Sequence, residues 1–434
     1  MKFMYLCTAF MSTQPLHNLF HSDLIKNSGK LLSANVIAQA ISLLIYPVLT
    51  RIYSQADFGL LNLFSSIAGV ALIVCTGKYQ DAIPLEKEDK SASAVFHVGF
   101  FFLLSVSAIL ILFLPFSSSI ANLFNAPALS SFLWLVPVFV FCSGIWQLLL
   151  FWYTRKKNFT SISTYQVTNS LFSASGKWGL NYLIHAGGLI YATVIAPFLS
   201  LAINIIYRWK SLKPLCVINL QQCSYVAKKY RNFPLFTTPR ALVNTLSNSL
   251  PMLLLTPMFG LQQVGLWGMA LTLSFIPINI IANSMYQIFF QHTSHQVNDK
   301  QPVKYFLNKY LLLTSLFALL LFVPLYFCLP SLTAWLLGAD WETTGHYIRW
   351  MLPWLFVTLL TSPHGYIPDL FFQQKKELLF EILLFIIRLS ALLIGMFFHD
   401  FIMSIAGYCL AGFAVKTILL IWYMYLINNY EKQI

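Results

Sequence analysis

Charge is what this chain of 434 residues has least of: Asp, Glu, Lys and Arg together make up 9%, against about 25% in an ordinary soluble domain. With 58% hydrophobic residues and a mean hydropathy of +0.70, that scarcity excludes a water-soluble enzyme, a disordered chain and a coiled coil. Acidic residues are scarcer still, 14 against 27 Lys and Arg, for a formal charge of +13. In a soluble protein that excess would read as a nucleic-acid footprint. Here there is too little polar surface for a phosphate-tracking face, so no nucleic acid is expected.

Metal-binding and catalytic patterns are also missing. The seven cysteines (Cys7, Cys75, Cys142, Cys216, Cys223, Cys328 and Cys409) are odd in number and scattered, mostly in apolar runs. No spacing among them fits a zinc site or a disulfide framework, so they read as small core residues. His292 and His295 form an HxxH in a polar loop, without acidic or cysteine partners nearby. No metal and no cofactor are expected. No positioned acid, base or nucleophile is found, so the chain is not expected to be an enzyme. The stretch from Lys2 to Met11 is too brief, and too polar downstream, for a signal peptide, and Met11 competes with Met1 as the start.

What is present is a series of long apolar runs. A helix that crosses a bilayer needs about 20 mostly apolar residues. Twelve such spans are predicted, at 31–50, 58–77, 92–115, 131–153, 162–184, 187–207, 233–258, 265–289, 306–329, 346–367, 378–398 and 402–427. Short connectors carry turn-prone residues such as Ser117-Ser118-Ser119, Asn125-Ala126-Pro127 and Gly187-Gly188. Pro251, Pro353 and Pro363 fall inside spans, which neighbouring helices in a membrane bundle tolerate.

The excess of cations becomes intelligible on this frame. With both termini on one side, 21 Lys and Arg lie on that side, one (Arg51) on the other, and five within spans. So lopsided a split is a positive-inside pattern; it places the termini in the cytoplasm and supports the count of twelve. The predicted organisation is a cytoplasmic arm (1–30), an N-terminal six-helix lobe (31–207), a basic cytoplasmic linker (208–232), a C-terminal six-helix lobe (233–427) and a tail (428–434).

The two lobes read as an internal repeat. Thr50-Arg51-Ile52-Tyr53 through Phe58-Gly59-Leu60 recurs as Thr256-Pro257-Met258-Phe259 through Val264-Gly265-Leu266, 206 residues on. Tyr79-Gln80 recurs as Tyr286-Gln287, Trp134 and Pro137 as Trp350 and Pro353, and Phe151-Trp152-Tyr153 as Leu370-Phe371-Phe372, at slowly growing offsets. An even number of spans per repeat makes the halves parallel, related by an axis along the membrane normal.

Several spans carry a polar stripe at helical spacing. The first has Asn35, Gln39, Ser42 and Tyr46; the fifth Gln166, Ser170, Ser173, Lys177 and Asn181; the seventh Thr237, Arg240, Asn244 and Ser247/Asn248; the eighth Thr272, Asn279, Asn283 and Tyr286. Helix–helix hydrogen bonding accounts for such stripes, and so does a water-filled cavity. Two observations favour the cavity: spans 1 and 7 hold equivalent repeat positions (Gln39 with Thr245, Ser42 with Asn248), and two stripes contain a cation. The five cations within spans are Lys177, Arg240, Arg349, Arg388 and Lys416. Each costs roughly 2.5–3.5 kcal/mol at a helix centre. Arg349, one turn into its span, can snorkel to the surface. Of the acids, Glu381, two turns from Arg388, and Asp369, near the inner end of span 10, are the candidate partners. Two acids cannot neutralise five cations. The surplus points to an anionic substrate, and Arg suits phosphate oxygens.

The segment Ile45-Tyr46-Pro47-Val48-Leu49-Thr50-Arg51-Ile52-Tyr53, followed by Asp57-Phe58-Gly59, resembles the opening motif of the polysaccharide-transporter branch of the multidrug/oligosaccharidyl-lipid/polysaccharide (MOP) superfamily. Together with twelve spans and a cationic interior, the chain is most similar to Wzx-type O-antigen flippases. That resemblance implies an all-α fold of two V-shaped six-helix lobes, MATE-like, working by alternating access. It implies an undecaprenyl-pyrophosphate-linked oligosaccharide as cargo, carried to the periplasmic leaflet of the bacterial inner membrane, with a proton or sodium gradient as drive. Membrane lipids, and the polymerase and chain-length regulator of the pathway, are the implied partners. Carried onto this sequence, the cationic cavity would comprise Lys177, Arg240, Arg388 and Lys416. Its polar lining would be Asn35, Gln39, Gln166, Ser173, Asn181, Asn244, Asn248, Asn279 and Asn283, with Glu381 and Asp369 as charge partners. Arg51 and Asp57 match the motif and read as a clasp at the outer rim. The competing readings are a multidrug or ion antiporter on the same scaffold and an O-antigen polymerase. The second is disfavoured because Asp340-Trp341-Glu342 is the only acidic pair in the short outer loops.

Overall fold

In the computed structural model, residues 23–184, 187–371 and 373–432 are described. Lys2, Cys7, Met11 and Phe372 lie outside them. Among the described residues the chain is helical with no strand. In chain order the crossing helices are α1 (Asp23–Leu44), α2 (Gln55–Val74), α3 (Asp89–Leu112), α4 (Leu135–Arg155), α5 (Phe159–Gly179) and α6 (Gly188–Leu212). A helical segment Thr238–Asn298 follows, interrupted at Gly260, where φ 79° and ψ 169° suit only glycine. It therefore comprises α7 (238–259) and α8 (261–298). Then come α9 (Lys304–Leu337), α10 (Glu342–Thr361), α11 (Gln374–Phe397) and α12 (Phe401–Glu431).

The reversal at Gly260 shows in the contacts. Arg240, at the start of α7, pairs with Glu377 at the start of α11, while Pro257, near its end, accepts from Asn125. Tyr286 of α8 then packs back near Tyr366, beyond the far end of α10. Among the described residues, eight helical stretches are long and apolar enough to span a bilayer by length and composition. One of them contains this reversal, and α1, α5 and α10 complete the twelve. The α1 stretch Ser33–Leu49 is apolar but short, and α5 and α10 fall short in apolarity for physical reasons. α1 and α5 each carry a polar face, and α10 is so largely enclosed by protein that little of it needs to match lipid.

All twelve predicted helices are present, with shifted ends. α2, α3 and α5 each begin three residues before their predicted spans, because hydropathy locates the apolar centre whereas caps set the start. Ser54 and Asp57 form a capping box on α2, and Asn158 caps α5. Asp57 is thus occupied with its own helix, and exposed Arg51 has no ion pair with it; the expected Arg51–Asp57 clasp is not formed. α8 continues to Asn298, so His292 is on a helix and not in a loop. α10 ends at Thr361, followed by a turn at Ser362–His364 around Pro363 and the short helix Ile367–Leu370.

The core is divided in a way that fixes the shape. One large apolar cluster joins both halves, from Leu49, Phe58 and Phe64 to Trp267, Met351 and Trp354. Two separate clusters lie toward the basic end. Tyr79, Trp152 and Tyr153 belong to the N-terminal half, and Phe289, Tyr366 and Tyr423 to the C-terminal half. Four hydrogen bonds between the halves lie at the end away from the basic loops. Gln55 Nε2 donates to the Asp340 carbonyl, Gln262 Nε2 to Gln55 Oε1 (2.7 Å), Asn125 Nδ2 to the Pro257 carbonyl (2.6 Å) and Trp341 Nε1 to the Thr50 carbonyl (3.2 Å). Two lobes joined at one end and separate at the other make a V that opens toward the basic end.

The apex of the V displays the repeat directly. A Cβ on Gly59 of α2 would lie 1.9 Å from the Leu261 carbonyl oxygen, and a Cβ on Gly265 of α8 1.9 Å from that of Gln55. Gly59 and Gly265 are 206 residues apart, and so are Gln55 and Leu261. One contact is therefore made twice across a pseudo-twofold axis, and only glycine lets the two backbones approach so closely.

The basic linker is docked on the N-terminal lobe. Its helix Leu220–Lys229 buries Cys223 and Val226, and Lys229 Nζ meets Glu86 Oε1 at 2.6 Å, with Tyr230 Oη donating to the same oxygen at 2.9 Å. Burial raises the Glu86 pKa, but the hydrogen bonds from Lys229 and Tyr230 outweigh it and hold the carboxyl below its usual range. Arg155 and Lys156 both form ion pairs with Asp89 at the start of α3.

Candidate functional site

The polar stripes converge on two cavities, one per lobe. The N-terminal cavity, of about 610 Å³, is walled by α1, α4, α5 and α6, with Ile276 of α8 reaching it from the other lobe. Of the predicted residues, Asn35, Gln39, Gln166, Ser173 and Lys177 line it. The C-terminal cavity, of about 630 Å³, takes Asn244, Asn248, Asn279, Glu381, Arg388 and Lys416. Four predicted residues, Asn181, Asn283, Arg240 and Asp369, lie outside both walls. Asn181 lies past the last turn of α5 and Asn283 a turn beyond the polar lining of α8. Asp369 is exposed on the short helix Ile367–Leu370 and makes no ion pair with a cavity cation. The expectation that these four form the cavity is corrected accordingly.

An amide pair recurs in both lobes. Gln39 Nε2 donates to Asn35 Oδ1 (3.4 Å) on α1, and Asn248 Nδ2 to Asn244 Oδ1 (3.3 Å) on α7. These pairs correspond at a separation of 209 residues, whereas the sequence pattern aligned Gln39 with Thr245 at 206. The break in α1 at Ile45, ahead of the Pro47 turn, falls between the two registers.

The charges sort into a ladder. Toward the basic end, Arg240 Nη2 and Glu377 Oε2 pair at 2.8 Å. Next, Glu381 accepts from Asn244 Nδ2 at 2.9 Å and faces Lys416 Nζ at 3.7 Å. Deeper lies Arg388, 2% exposed. Its Nη1 donates to Asn248 Oδ1 (3.1 Å) and Ser247 Oγ (3.3 Å), and its guanidinium stands 4.2 Å from the Tyr408 ring centroid and 4.7 Å from that of Trp354. Cation–π contacts of this kind stabilise the charge without neutralising it. The candidate partner Glu381 is engaged by Lys416 instead, and among the described residues no carboxylate pairs with Arg388. Its Nε is buried without a hydrogen-bond partner. Lys177, two residues before the end of α5, likewise has no carboxylate partner among the described residues. Arg349 is explained structurally. Pro330 removes the N–H that would serve the Tyr326 carbonyl, and Arg349 Nε (2.6 Å) and Nη2 (3.0 Å) donate to the carbonyls of Tyr326 and Phe327.

Sequence reasoning missed Glu377, because the predicted span 11 started at 378 whereas α11 starts at Gln374. It also missed the aromatic and amide walls. Tyr408 lies two turns from Lys416 on the same face of α12, a spacing that could have identified it. Trp146 and Gln147 of α4 and Asn169 of α5 line the N-terminal cavity as well. Among the described residues no group of three or more His, Cys, Asp or Glu is placed to hold a metal.

Residues 48–345 match a family model described as "Polysaccharide biosynthesis protein". No curated protein matches. Among solved structures, the inward closed conformation of the lipid II flippase MurJ superposes with a TM-score of 0.71 at 15% identity, over 94% of this chain and 90% of that one. An inward-facing multidrug-resistance MATE transporter of the MOP superfamily gives 0.65 at 12% identity, over 92% and 96%. A MOP-superfamily transporter from Pyrococcus furiosus gives 0.61 at 13% identity, over 95% and 98%. At these identities the likeness establishes the fold, which is that of the MOP superfamily. With the family model matching most of its length, the chain belongs to the polysaccharide biosynthesis protein family, as a multi-pass membrane protein built on the twelve-helix MOP fold.

Proposed function

We propose that this protein is a flippase that carries an undecaprenyl-pyrophosphate-linked oligosaccharide from the cytoplasmic to the periplasmic leaflet of a bacterial inner membrane. The observation that carries this reading is the pair of cavity cations, Lys177 and Arg388, that no carboxylate among the described residues neutralises. A buried cation is costly unless something compensates it, and an anionic cargo supplies that compensation. The guanidinium fork of Arg388 suits the oxygens of a diphosphate. The basic end, with both termini and the linker, is assigned to the cytoplasm by its cations, so the V as described is open to the side where such a cargo is assembled. Alternating access then requires the apex contacts to part while the basic ends close. Glu381, between Asn244 and Lys416, is the acid on the cavity wall through which an ion gradient can act. No step in this cycle makes or breaks a covalent bond, in keeping with a transporter and not an enzyme.

Membership of a polysaccharide biosynthesis family and the fold shared with a lipid II flippase support this reading over drug export. The test is complementation of a strain lacking the chromosomal copy. Arg388→Ala and Lys177→Ala should each lower surface polysaccharide, and the double substitution should abolish it, at unchanged protein level in the membrane. Full display by the double variant would refute the assignment.

A further inference from the structure

The two cavities differ in chemistry, and the difference divides the cargo. The C-terminal cavity is ionic, with Arg388, Lys416 and Glu381 on its wall. The N-terminal cavity is dominated by uncharged amides: Asn35, Gln39, Gln147, Gln166 and Asn169 all line it, with Lys177 the sole charge on its wall among the described residues. Each amide offers two donors and an acceptor, which complements a hydroxyl group better than an anion. Two acceptors there, Gln166 Oε1 and Asn169 Oδ1, are buried without a protein partner. A buried acceptor left unpaired costs free energy, and rotation of either amide toward the cavity its residue lines, where a ligand hydroxyl can pair with it, would relieve that cost. Trp146, stacked on Tyr165 at 3.4 Å between centroids with planes 8° apart, gives the cavity a rigid aromatic wall. Such a surface packs well against the C–H face of a sugar ring. The volume of about 610 Å³ lies within the range of about 300–1,000 Å³ usual for ligand pockets.

We infer that the N-terminal cavity is a glycan subsite, with Gln166, Asn169 and Trp146 reading sugar hydroxyls and ring faces, while the C-terminal cavity holds the diphosphate at Arg388. This division rests on the proposed function and adds a separate role for each lobe. It makes sugar selectivity a property of α4 and α5, where Lys177 compensates an acidic group carried by the glycan, and leaves the carrier lipid's diphosphate to α7, α11 and α12. Substitutions on the two walls therefore act on different parts of one cargo.

The experiment uses the full-length protein in lipid nanodiscs and two probes. One is the lipid-free oligosaccharide repeat released by mild acid from the host's surface polysaccharide; the other is undecaprenyl diphosphate without sugar. In Gln166→Leu/Asn169→Leu, affinity for the oligosaccharide should fall about tenfold or more, equal to about 1.4 kcal/mol, with affinity for undecaprenyl diphosphate unchanged. In Arg388→Met the order should reverse. Trp146→Leu removes the aromatic wall and leaves the amides in place; it is measured alongside and should also weaken the oligosaccharide selectively. Unchanged oligosaccharide affinity in folded variants of both kinds, or equal weakening of both probes, would overturn the subsite assignment while leaving the flippase reading intact. If the wild-type protein bound neither probe, the flippase reading itself would fall.

Discussion

The apex contact between α2 and α8 gives the sharpest mechanical prediction. A methyl group added at Gly59 would stand 1.9 Å from the Leu261 carbonyl oxygen and 2.7 Å from its carbon, whereas an ordinary contact is 3.4–4 Å. Relieving it moves the helices apart by about 1.5 Å, and overpacking of this kind costs about 1–3 kcal/mol. Each lobe also keeps apolar packing of its own away from the apex, so the cost falls on the seam more than on the fold. A penalty of that size shifts the closed-apex population by about 5–150-fold. The assay is disulfide cross-linking across the seam with Gln55→Cys and Gln262→Cys, whose side chains are hydrogen-bonded in the native protein. Gly59→Ala should lower the cross-link yield at least fivefold, and Gly265→Ala should match it because the same contact is made twice. Gly69→Ala, also on α2 but with open space where its Cβ would go, should have no effect. Wild-type yields in both apex variants, or an equal loss at Gly69, would refute the reasoning.

Three further outcomes follow from the polar contacts. Asp57→Ala removes half of the capping box on α2 and should lower thermal stability by about 0.5–2 kcal/mol, measured in detergent, without altering cargo binding. For Arg240 and Glu377, whose side chains are 41% and 15% exposed, a double-mutant cycle on stability should give a coupling below about 1 kcal/mol, because partly solvated pairs are screened. Glu86 has a lowered pKa in the folded protein, so its contribution to linker docking is full above the unfolded carboxyl value of about 4.3. It is lost as pH falls through the folded value. Protease cleavage of the linker should therefore rise sharply on acidification below about pH 4, and Glu86→Gln should be cleaved readily at neutral pH and lose that dependence.

Most of the architecture was legible from the sequence because a bilayer leaves few alternatives. Apolar run length, the sidedness of Lys and Arg, and the 206-residue echo around Gly59 and Gly265 defined twelve helices in two parallel halves. Helix ends were less legible, since Ser54, Asn158 and Gln374 set starts that hydropathy averages away. The site was half legible. Helical spacing put Gln166, Ser173 and Lys177 on one helix face and Asn244 and Asn248 on another, and depth within their spans singled out Arg388 and Lys416. Spacing within one helix could not say which side chains meet across helices. Arg240 therefore pairs with Glu377, which was not among the candidate acids, and Arg388 settles between Trp354 and Tyr408 instead of against Glu381. The division into two chemically distinct cavities depends on α4 and α12 residues whose contacts are wholly tertiary.

The most direct test of the central claim is to follow the sidedness of the lipid-linked repeat unit in a strain lacking this protein. Labelled repeat units should accumulate on the cytoplasmic face, protected from a membrane-impermeant glycan-oxidising reagent added outside. Wild-type protein should restore periplasmic exposure, and the Lys177→Ala/Arg388→Ala variant should not. Normal crossing in the deleted strain, with polymerisation alone missing, would contradict the account.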